Sequence, residues 1–351
     1  MVGSAPHESG RTADACPPRG IGDFAPTAPW PMLHLRARLL RQLRGFFDTR
    51  GFLEVETPVL SADTVIDRHL DPFTLTLFDD PRQPQHGPTM YLQTSPEFHM
   101  KRMMAAGAEA IYQVARVFRG AECGPWHNPE FTLVEWYRRG DHLQAAMDLL
   151  DALAQTLLGQ PASERVTYAD VFDHHVGVNP LTASLEQLVM AARRCGYSAT
   201  NDPHSPTDDL GALRDDSLHF LFAECVQPHL GTERPAIVSD FPASQAALAQ
   251  IRPSPPAVAE RFELFVRGIE LANGYHELRD GTELERRQSV INQQRQADGK
   301  QPLPNHSRLL TAMQQGLPPC AGVAIGFDRW VMIASGATCL SEVIAFPISR
   351  A

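Results

Sequence analysis

The stretch Arg119–Tyr137, RGAECGPWHNPEFTLVEWY, decides the fold of this chain. An alternating run, IYQVARVF, ends just before it, and its own second half, EFTLVEWY, alternates in the same way. Two such runs joined by a polar loop with glycines predict an antiparallel hairpin. Because side chains alternate along a strand, one face carries a ring, a carboxylate and a phenol, namely those of Phe131, Glu135 and Tyr137. That face suits a nucleotide base beside a cationic group, with Arg119 at the edge for a phosphate. The alternative is an amphipathic hairpin over a core, with Arg119 solvated.

A second informative stretch, GVAIGFDR, runs from Gly322 to Arg329 near the end of the chain. Alternation places Gly322, Ala324 and Gly326 on one face, which forms a floor with almost no side chains. Small residues inside a strand often mark the place where a ligand approaches the backbone. Arg329 follows at the start of an apolar helix, where an anion is favoured. Two arginines that each follow a strand can clamp the two ends of a triphosphate.

These stretches resemble the class II aminoacyl-tRNA synthetases. FRGAE and HNPEF are similar to motif 2, GVAIGFDR to motif 3, and RGFFDTRGFLEVETPVL to motif 1, with Pro58 at the end of its strand. The resemblance runs from about Trp30 to the C-terminus and is closest to the lysyl-tRNA synthetases. It implies an α+β class II catalytic fold: a mainly antiparallel sheet flanked by helices, assembled as a homodimer through the motif 1 helix.

The N-terminal part separates this chain from the lysyl-tRNA synthetases, which carry an anticodon-binding barrel there. Residues 1–29 are rich in Pro, Gly, Ala and Ser, so we expect a disordered arm without a signal peptide. A synthetase core without that barrel resembles the elongation factor P–lysine ligases. Those enzymes attach a lysine isomer, (R)-β-lysine, to a lysine side chain of elongation factor P. The stretches IELANGYHEL and FPASQAALAQ are also similar to that family.

The composition agrees with a protein partner better than with a nucleic acid. Lys and Arg total 31 against 41 acids, a formal charge of −10, whereas a phosphate-bound partner favours a basic surface. We therefore expect no stable tRNA binding. The six cysteines are scattered without a C-x-x-C pair, which fits a reduced cytoplasm and gives no zinc pattern. No apolar run is long enough to predict a membrane span.

The domain organisation predicted from the pattern is a single catalytic domain over residues 30–351. Between about 141 and 234 the pattern becomes helical, as in LQAAMDLLDALAQTLL and LEQLVMAARRCG, and we interpret this part as a helical insertion. Strand patterns resume with PAIVSDFPA and RFELFVRGIEL. Strands, then helices, then strands again predict an α+β fold.

The resemblance also implies a pocket for a substrate with two ammonium groups. Removing water from such a substrate requires carboxylates or strong acceptors in return. Glu97 matches the glutamate that binds the α-ammonium, although by itself it is also explained as a first-turn acid of the helix opened by Ser95 and Pro96. Glu277 with Tyr137 is expected at the distal ammonium, although an acid at a strand end is ordinarily solvated. The remaining substrate positions implied by the family are Glu135, Asn273, Tyr275 and Ala324.

For ATP, the resemblance assigns Arg119 to the α-phosphate and the substrate carboxylate, Arg329 to the γ-phosphate, and Phe131 to the adenine ring. Activation joins two anions, so positioning and charge cancellation are what the enzyme must supply. The other ATP positions carried over are Gly120, Ala121, Glu122, His127, Asn128, Glu270, Leu271 and Gly326. Glu263 and Glu270 match the two acids that hold Mg²⁺, an ion that needs only one or two carboxylates besides phosphate oxygens.

Two positions depart from the synthetase pattern. Synthetases have Arg-Asn-Glu where this chain has Arg119-Gly120-Ala121, so the glutamate that meets the adenine amino group is absent there, and Glu122 stands one residue later. Ala324 replaces a glycine of the lysyl-tRNA synthetases, and alanine also stands here in the ligases. A methyl group beside the α-carbon fits a substrate whose amino group has moved to the β-carbon.

Three hypotheses remain at this point. The resemblance favours an elongation factor P–lysine ligase. A free-standing ligase that uses α-lysine on tRNA or another small acceptor requires a basic patch, which the charge balance disfavours. A catalytically inactive regulatory paralogue predicts loss of the arginine clamp or the acidic pair, yet Arg119, Arg329, Glu263 and Glu270 are all present.

Overall fold

A computed structural model describes residues 24–197, 210–253 and 255–351 of the protein. Its α-helices are α1 (Trp30–Asp48), α2 (Glu97–Ala105), α3 (Leu143–Leu158), α4 (Tyr168–Val176), α5 (Leu185–Arg194), α6 (Leu210–Leu221), α7 (Gly281–Ala297), α8 (Arg308–Gly316) and α9 (Phe327–Ser335). Its strands are β1 (Leu53–Glu54), β2 (Leu60–Ser61), β3 (Thr74–Thr76), β4 (Thr89–Leu92), β5 (Ala110–Phe118), β6 (Glu130–Arg139), β7 (Glu164–Thr167), β8 (Ala236–Pro242), β9 (Ile251–Arg252), β10 (Val258–Val266), β11 (Ile269–His276) and β12 (Cys320–Gly326).

One large sheet organises the fold, in the order β1-β5-β6-β12-β11-β10-β8-β7, with β9 added beside β10. The predicted hairpin is confirmed: β5 and β6 pair antiparallel, with Phe118 opposite Glu130 at the loop end. Only the outermost pairs, β1 with β5 and β7 with β8, run parallel. Strands β2, β4 and β3 form a small separate sheet. The predicted α+β class with a mainly antiparallel sheet is therefore correct.

The main core lies between one face of the large sheet and helices α1, α3 and α9. It buries Trp136 from β6 and Trp330 from α9 among aliphatic and aromatic side chains. A buried carboxylate ties these layers together, because Asp328 accepts the backbone N–H of Thr132 at 2.9 Å and pairs with Arg36 of α1. A buried charge needs such partners to be tolerated. This anchor fixes the start of α9, and with it the neighbouring Arg329, against the central strands.

The opposite face of the sheet is covered at its two ends and open between them. At one end, α2 and α8 pack over Ile111 and Tyr137. At the other end, α4, α5 and α6 pack over β8 and Phe265. The central strands β6, β12 and β11 between these two clusters carry the polar face predicted from the sequence.

The proposed helical insertion has two parts in the structure. Helix α3 contributes Leu150 and Leu153 to the main core, so it belongs to the central packing. Helices α4 to α6 form a separate cluster beside the sheet edge. Of the expected N-terminal arm, residues 1–23 lie outside the described residues, while Thr27 donates its backbone N–H to Ala345 at 2.8 Å. Within the described ranges, no helix is both long and apolar enough to span a membrane.

Candidate functional site

A row of side chains crosses the open face of the sheet from strand to strand. Residue pairing aligns Glu263 of β10, Asn273 of β11, Ala324 of β12 and Glu135 of β6. Directly opposite residues on neighbouring strands point to the same face and lie close together. The sheet therefore brings four of the predicted site residues into one line across neighbouring strands.

A second row on the same face, two residues away along each strand, consists of Arg261, Tyr275, Gly322 and Tyr137. Gly322 is required between the two aromatic rings, because a β-carbon there would lie 2.5 Å from Glu277 Oε1 and 2.6 Å from Tyr137 Cδ1. The floor of small residues predicted for GVAIGFDR is present, and at Gly322 two functional side chains fill the space above it.

A β-bulge places Glu270 on the site face. Asn273 and Glu270 are three residues apart, so regular alternation would put them on opposite faces. The pairing of β10 with β11 shifts between Leu264 and Phe265, so that Leu264 opposes Ala272 while Phe265 opposes Glu270. The shift leaves one extra residue on β11, as a bulge does, and Glu270 returns to the face of Glu263.

The bulge also decides which part of Leu271, a predicted ATP position, faces the site. Its side chain is 1% exposed and lies in the main core, on the face away from the site. Its carbonyl accepts the indole N–H of Trp330 at 3.0 Å. A side-chain contact of Leu271 with ATP is thus excluded, because the extra residue of the bulge turns this side chain into the core.

Glu135 is buried and held by two hydroxyl groups. Ser95 Oγ donates to Glu135 Oε2 at 2.7 Å, and Tyr137 donates its phenol O–H to Oε1 at 2.5 Å. Burial, together with the nearby charge of Glu97, raises the pKa of Glu135 to about 7. The phenol O–H of Tyr137 therefore holds Glu135 in place, and the expected role of Tyr137 beside Glu277 at the distal ammonium stays a prediction.

The start of α2 differs by one position from the expected cap. Pro96 precedes the helix as its N-cap, and Glu97 is the first helical residue. Ser95 does not cap the helix, but its Oγ accepts the backbone N–H of Glu97 at 3.1 Å. One hydroxyl group therefore links the helix start to Glu135.

The residue that sequence reasoning missed is Lys101. Its Nζ lies 2.5 Å from Glu97 Oε1 and 2.5 Å from Glu277 Oε2, and the side chain is 2% exposed. Burial raises the pKa of Glu277 to about 8, although the Lys101 ammonium opposes that rise. A signal was available: Lys101 follows Glu97 by four residues on α2, a spacing that puts both on one helix face.

Arg119 lies at the hairpin edge, as predicted, and faces Phe131. Its guanidinium carbon is 5.0 Å from the ring centre of Phe131. Its Nη1 is 3.8 Å from Glu122 Oε1. Between them, Ala121 adopts φ +64°, a left-handed conformation unfavourable for a residue with a β-carbon. The motif 2 loop thus turns Glu122 back toward Arg119, while Gly120 donates its N–H to the Asp71 carbonyl at 2.7 Å.

Arg329, in the first turn of α9 after Gly326, is held by three neighbours. It donates to the Glu270 carbonyl at 2.9 Å, to His127 Nε2 at 2.7 Å and to the Trp126 carbonyl at 3.3 Å. Burial and the charges of Arg329 and Arg119 lower the pKa of His127 to about 4, so its ring is neutral and accepts this bond. Arg329, Glu270 and His127 are therefore assembled at one end of the site.

Asn128, also predicted as an ATP contact, has both ends of its amide engaged elsewhere. Its Nδ2 donates to the Glu130 carbonyl at 2.6 Å, and its Oδ1 accepts the N–H of Ile348 at 2.9 Å. These bonds attach the C-terminal turn to the motif 2 loop, so the structure gives Asn128 a positioning contact in place of a free amide.

The two predicted metal-binding acids differ in their surroundings. Glu263 is buried and paired with Arg261. Burial raises the pKa of Glu263 to about 7; Arg261 opposes that rise and Glu270 adds to it. Glu270 is more open, with 38% of its side chain exposed. The described residues contain no group of three or more His, Cys, Asp or Glu arranged as a metal site.

Comparison with known proteins identifies the family. The family described as tRNA synthetases class II (D, K and N) matches residues 30–350. The chain belongs to this class II family. Its expected fold is thereby shown, and membership of the family implies the use of ATP.

Three similar proteins carry one name, and the first two match this chain almost end to end. The chain is 46% identical over 328 residues to the elongation factor P--(R)-beta-lysine ligase of Yersinia enterocolitica, covering 93% of this chain and 98% of that protein. It is 46% identical over 329 residues to the protein of the same name from Vibrio cholerae, covering 94% and 99%. For the one from Salmonella arizonae, identity is 45% over 330 residues.

Proposed function

We propose that this protein is an ATP-dependent ligase that activates (R)-β-lysine as an aminoacyl-adenylate and transfers it to a lysine side chain of elongation factor P. The observation that carries the proposal is the row of Glu263, Asn273, Ala324 and Glu135 across the sheet, flanked by Arg119 and Arg329. The names of the near full-length relatives supply the amino acid and the acceptor.

The pocket above this row suits a substrate with two ammonium groups. Three buried carboxylates, those of Glu97, Glu135 and Glu277, face it. Asn273 Oδ1 is a buried acceptor without a hydrogen-bond partner among the described residues. An unpaired buried acceptor is unfavourable until a donor reaches it. We assign one substrate ammonium to Glu97 and the other to Glu277, with Asn273, Tyr275, Ser95 and Pro96 shaping the walls.

ATP binds, in this proposal, along the face between the two arginines. Arg329 receives the γ-phosphate, with His127 orienting it, and Phe131 stacks under adenine after Arg119 moves from its ring to the α-phosphate. A substrate carboxylate oxygen attacks the α-phosphorus, and the bond to pyrophosphate breaks. The acceptor amine then attacks the carbonyl, forming an amide and releasing AMP. No general base is needed in the first step, because the carboxylate is already ionised.

The acidic pair fits a magnesium ion. The bulge puts Glu263 and Glu270 on one face, and burial raises the pKa of Glu263 to about 7, a rise to which the charge of Glu270 adds. Mg²⁺ prefers oxygen ligands and takes one or two carboxylates together with phosphate oxygens. We propose that Glu270 and Glu263 hold this ion, which offsets negative charge on the phosphates.

The setting of the reaction follows from the same proposal. Helix α1 leaves Arg38 and Arg41 exposed, and we propose that it forms the interface of a homodimer. Cys123, Cys195, Cys225, Cys320 and Cys339 are free, which fits a reducing compartment such as the cytoplasm. The domain proposal remains one catalytic domain over residues 30–351, with the insertion reduced to the α4–α6 cluster.

The test is ATP-dependent transfer of (R)-β-lysine and of α-lysine, in parallel, to purified elongation factor P. The intact mass of the factor is the readout, with tRNA aminoacylation as the competing assay. We expect the mass of one lysyl unit on the factor, formed faster with the β-isomer, and no charged tRNA.

The other two hypotheses predict different products. Charged tRNA with an unmodified factor would establish the α-lysine ligase. The absence of any product, together with no pyrophosphate exchange, would establish an inactive paralogue. An Arg329→Ala variant is the control for product that does not come from this site.

A further inference from the structure

Lys101 bridges two of the carboxylates assigned to the substrate. It reaches from α2 to Glu97 on its own helix and to Glu277 beyond β11, at 2.5 Å in each case. The Tyr137 ring of β6 lies beneath it, with its centre 6.0 Å from Nζ. A lysine that is 2% exposed between two acids is an internal counterion and not a surface charge.

The bridge uses one oxygen of each glutamate. Lys101 takes Glu97 Oε1 and Glu277 Oε2, and within residues 24–197, 210–253 and 255–351 no donor is hydrogen-bonded to the other oxygen of either side chain. Glu277 Oε1 lies above Gly322, in the floor of the site. Each glutamate is thus oriented by Lys101 and keeps one oxygen for a ligand.

The charges of the pocket then match a diammonium substrate. A bound cationic substrate expels the protons that Glu135 and Glu277 hold near neutral pH, so in the complex Glu97, Glu135 and Glu277 bring three charged carboxylates, and Lys101 cancels one of them. The two remaining negative charges equal the two ammonium groups of lysine or β-lysine. Uncompensated charge in a buried site is strongly unfavourable, so this balance favours a doubly charged ligand over a singly charged one.

The choice of lysine at this position stands out in this chain. Of its 31 Lys and Arg residues only Lys101 and Lys300 are lysines, and all the others are arginines. An ammonium group is a compact charge with three donors, whereas a guanidinium is a wide planar fork. The short contacts to Glu97 and Glu277 leave room for an ammonium group and not for a guanidinium group.

We propose that Lys101 is a specificity-determining positioning residue, which fixes the spacing of Glu97 and Glu277 and sets the pocket charge for a substrate with two ammonium groups. The inference rests on the proposed function for the identity of that substrate. The groups that face Lys101 are Glu97 of α2, Glu277 after β11, Glu135 and Tyr137 of β6, and Cys320 of β12.

The test compares Lys101→Met with Lys300→Met. Lys300 is the matched control, since it is also ion-paired, with Asp71 at 2.8 Å, but lies outside the pocket. In β-lysine-dependent pyrophosphate exchange we expect Lys101→Met to raise KM for β-lysine about tenfold or more, with KM for ATP within about twofold. Lys300→Met is expected to leave both values unchanged.

A second readout separates this role from a merely structural one. Without the Lys101 charge, the glutamates retain an additional proton that a bound ammonium must expel. Calorimetry of β-lysine binding in buffers of different ionisation enthalpy is expected to show about one more proton released by Lys101→Met than by the unmodified protein. Lys101→Arg keeps the charge, so it should restore the proton count while KM stays raised.

Lysine labelled with ¹³C at Cε gives a readout that needs no activity, since only two lysines are present. Lys300→Met assigns the two signals, and β-lysine should shift the Lys101 signal alone.

Failure of the proposed function appears separately, as absence of pyrophosphate exchange with any lysine isomer by the unmodified protein. The Lys101 inference is overturned if Lys101→Met folds with unchanged KM and proton count, or if β-lysine and ATP binding fall equally. Should Lys101→Met not fold, an unchanged KM in Lys101→Arg overturns it.

Discussion

Replacing Gly322 by alanine puts a methyl group into space that two functional side chains already occupy. The new β-carbon would lie 2.5 Å from Glu277 Oε1 and 2.6 Å from Tyr137 Cδ1. Strand β12 is paired on both sides. Gly322 lies opposite Tyr275 of β11 on one side and opposite Tyr137 of β6 on the other, so the backbone at Gly322 cannot move away. The side chains must move instead.

The size of that movement follows from contact distances. Non-bonded carbon atoms prefer about 3.5–4.0 Å, so the Tyr137 ring must shift by about 1 Å. Inserting a methylene into a packed site costs about 1–3 kcal/mol of stability. The functional loss should be larger, because a misplacement of about 1 Å in a catalytic site reduces the rate by about 10²-fold. The hydrogen bond from Tyr137 to Glu135 and the ion pair between Lys101 and Glu277 are both disturbed.

The assay is β-lysine-dependent pyrophosphate exchange, together with denaturant unfolding. We expect kcat/KM for β-lysine to fall about 10²-fold and the free energy of unfolding to fall by about 1–3 kcal/mol. The control is Gly281→Ala at the start of α7, where the nearest atom to a β-carbon is Gln314 Cγ at 3.4 Å, an ordinary contact distance. That change should leave activity unaltered and leave the helix equally or more stable.

Two outcomes would refute this reasoning. A Gly322→Ala enzyme with unaltered kcat/KM would mean that Tyr137 and Glu277 do not contact the substrate in the positions described. An equal loss of activity in Gly322→Ala and Gly281→Ala would mean that any added methyl group disturbs the protein, and that the floor has no special role.

Three further predictions concern the clamp, the metal and the pH. Arg329→Ala removes the hydrogen bonds to His127 and to the Glu270 carbonyl. In steady-state kinetics this variant should raise KM for ATP about tenfold or more, with little change in KM for β-lysine. Glu270→Gln should raise the Mg²⁺ concentration needed for half-maximal exchange, and an unchanged magnesium titration would contradict the assigned ligand. Burial raises the pKa from 4.5 to about 7 for Glu135 and for Glu263, and to about 8 for Glu277. The native state therefore holds protons that the unfolded chain has lost, so the free energy of unfolding should fall as pH rises through this window, while affinity for β-lysine rises. Above pH 6.5, histidines with a lowered pKa, such as His127, are neutral in both states, so a free energy of unfolding that increases between pH 6.5 and about 8 would contradict these shifts.

Local pattern was enough to predict the hairpin, its two faces and the floor of small residues. Alternation is a property of single strands, and the Phe131, Glu135 and Tyr137 face followed from it. Glu135 lies beside Ala324 and Asn273 only because of the strand order β6-β12-β11, which periodicity does not predict and which the structure supplies.

The features that the sequence did not predict arose where tertiary structure overrides local pattern. The bulge on β11 sends Leu271 into the core, and no residue type near it announces that extra residue. Lys101 meets Glu277 only because α2 packs over the end of the sheet. Ala121 adopts a left-handed backbone conformation, which a sequence pattern predicts for glycine and not for alanine.

The measurement that tests the central claim most directly is a structure of the protein with a non-hydrolysable (R)-β-lysyl-adenylate analogue and Mg²⁺. The account predicts the two ammonium groups on the free oxygens of Glu97 and Glu277, the phosphate at Arg119 and adenine on Phe131. An analogue bound away from the β6-β12-β11 face, or with its ammonium groups turned away from Glu277, would contradict it.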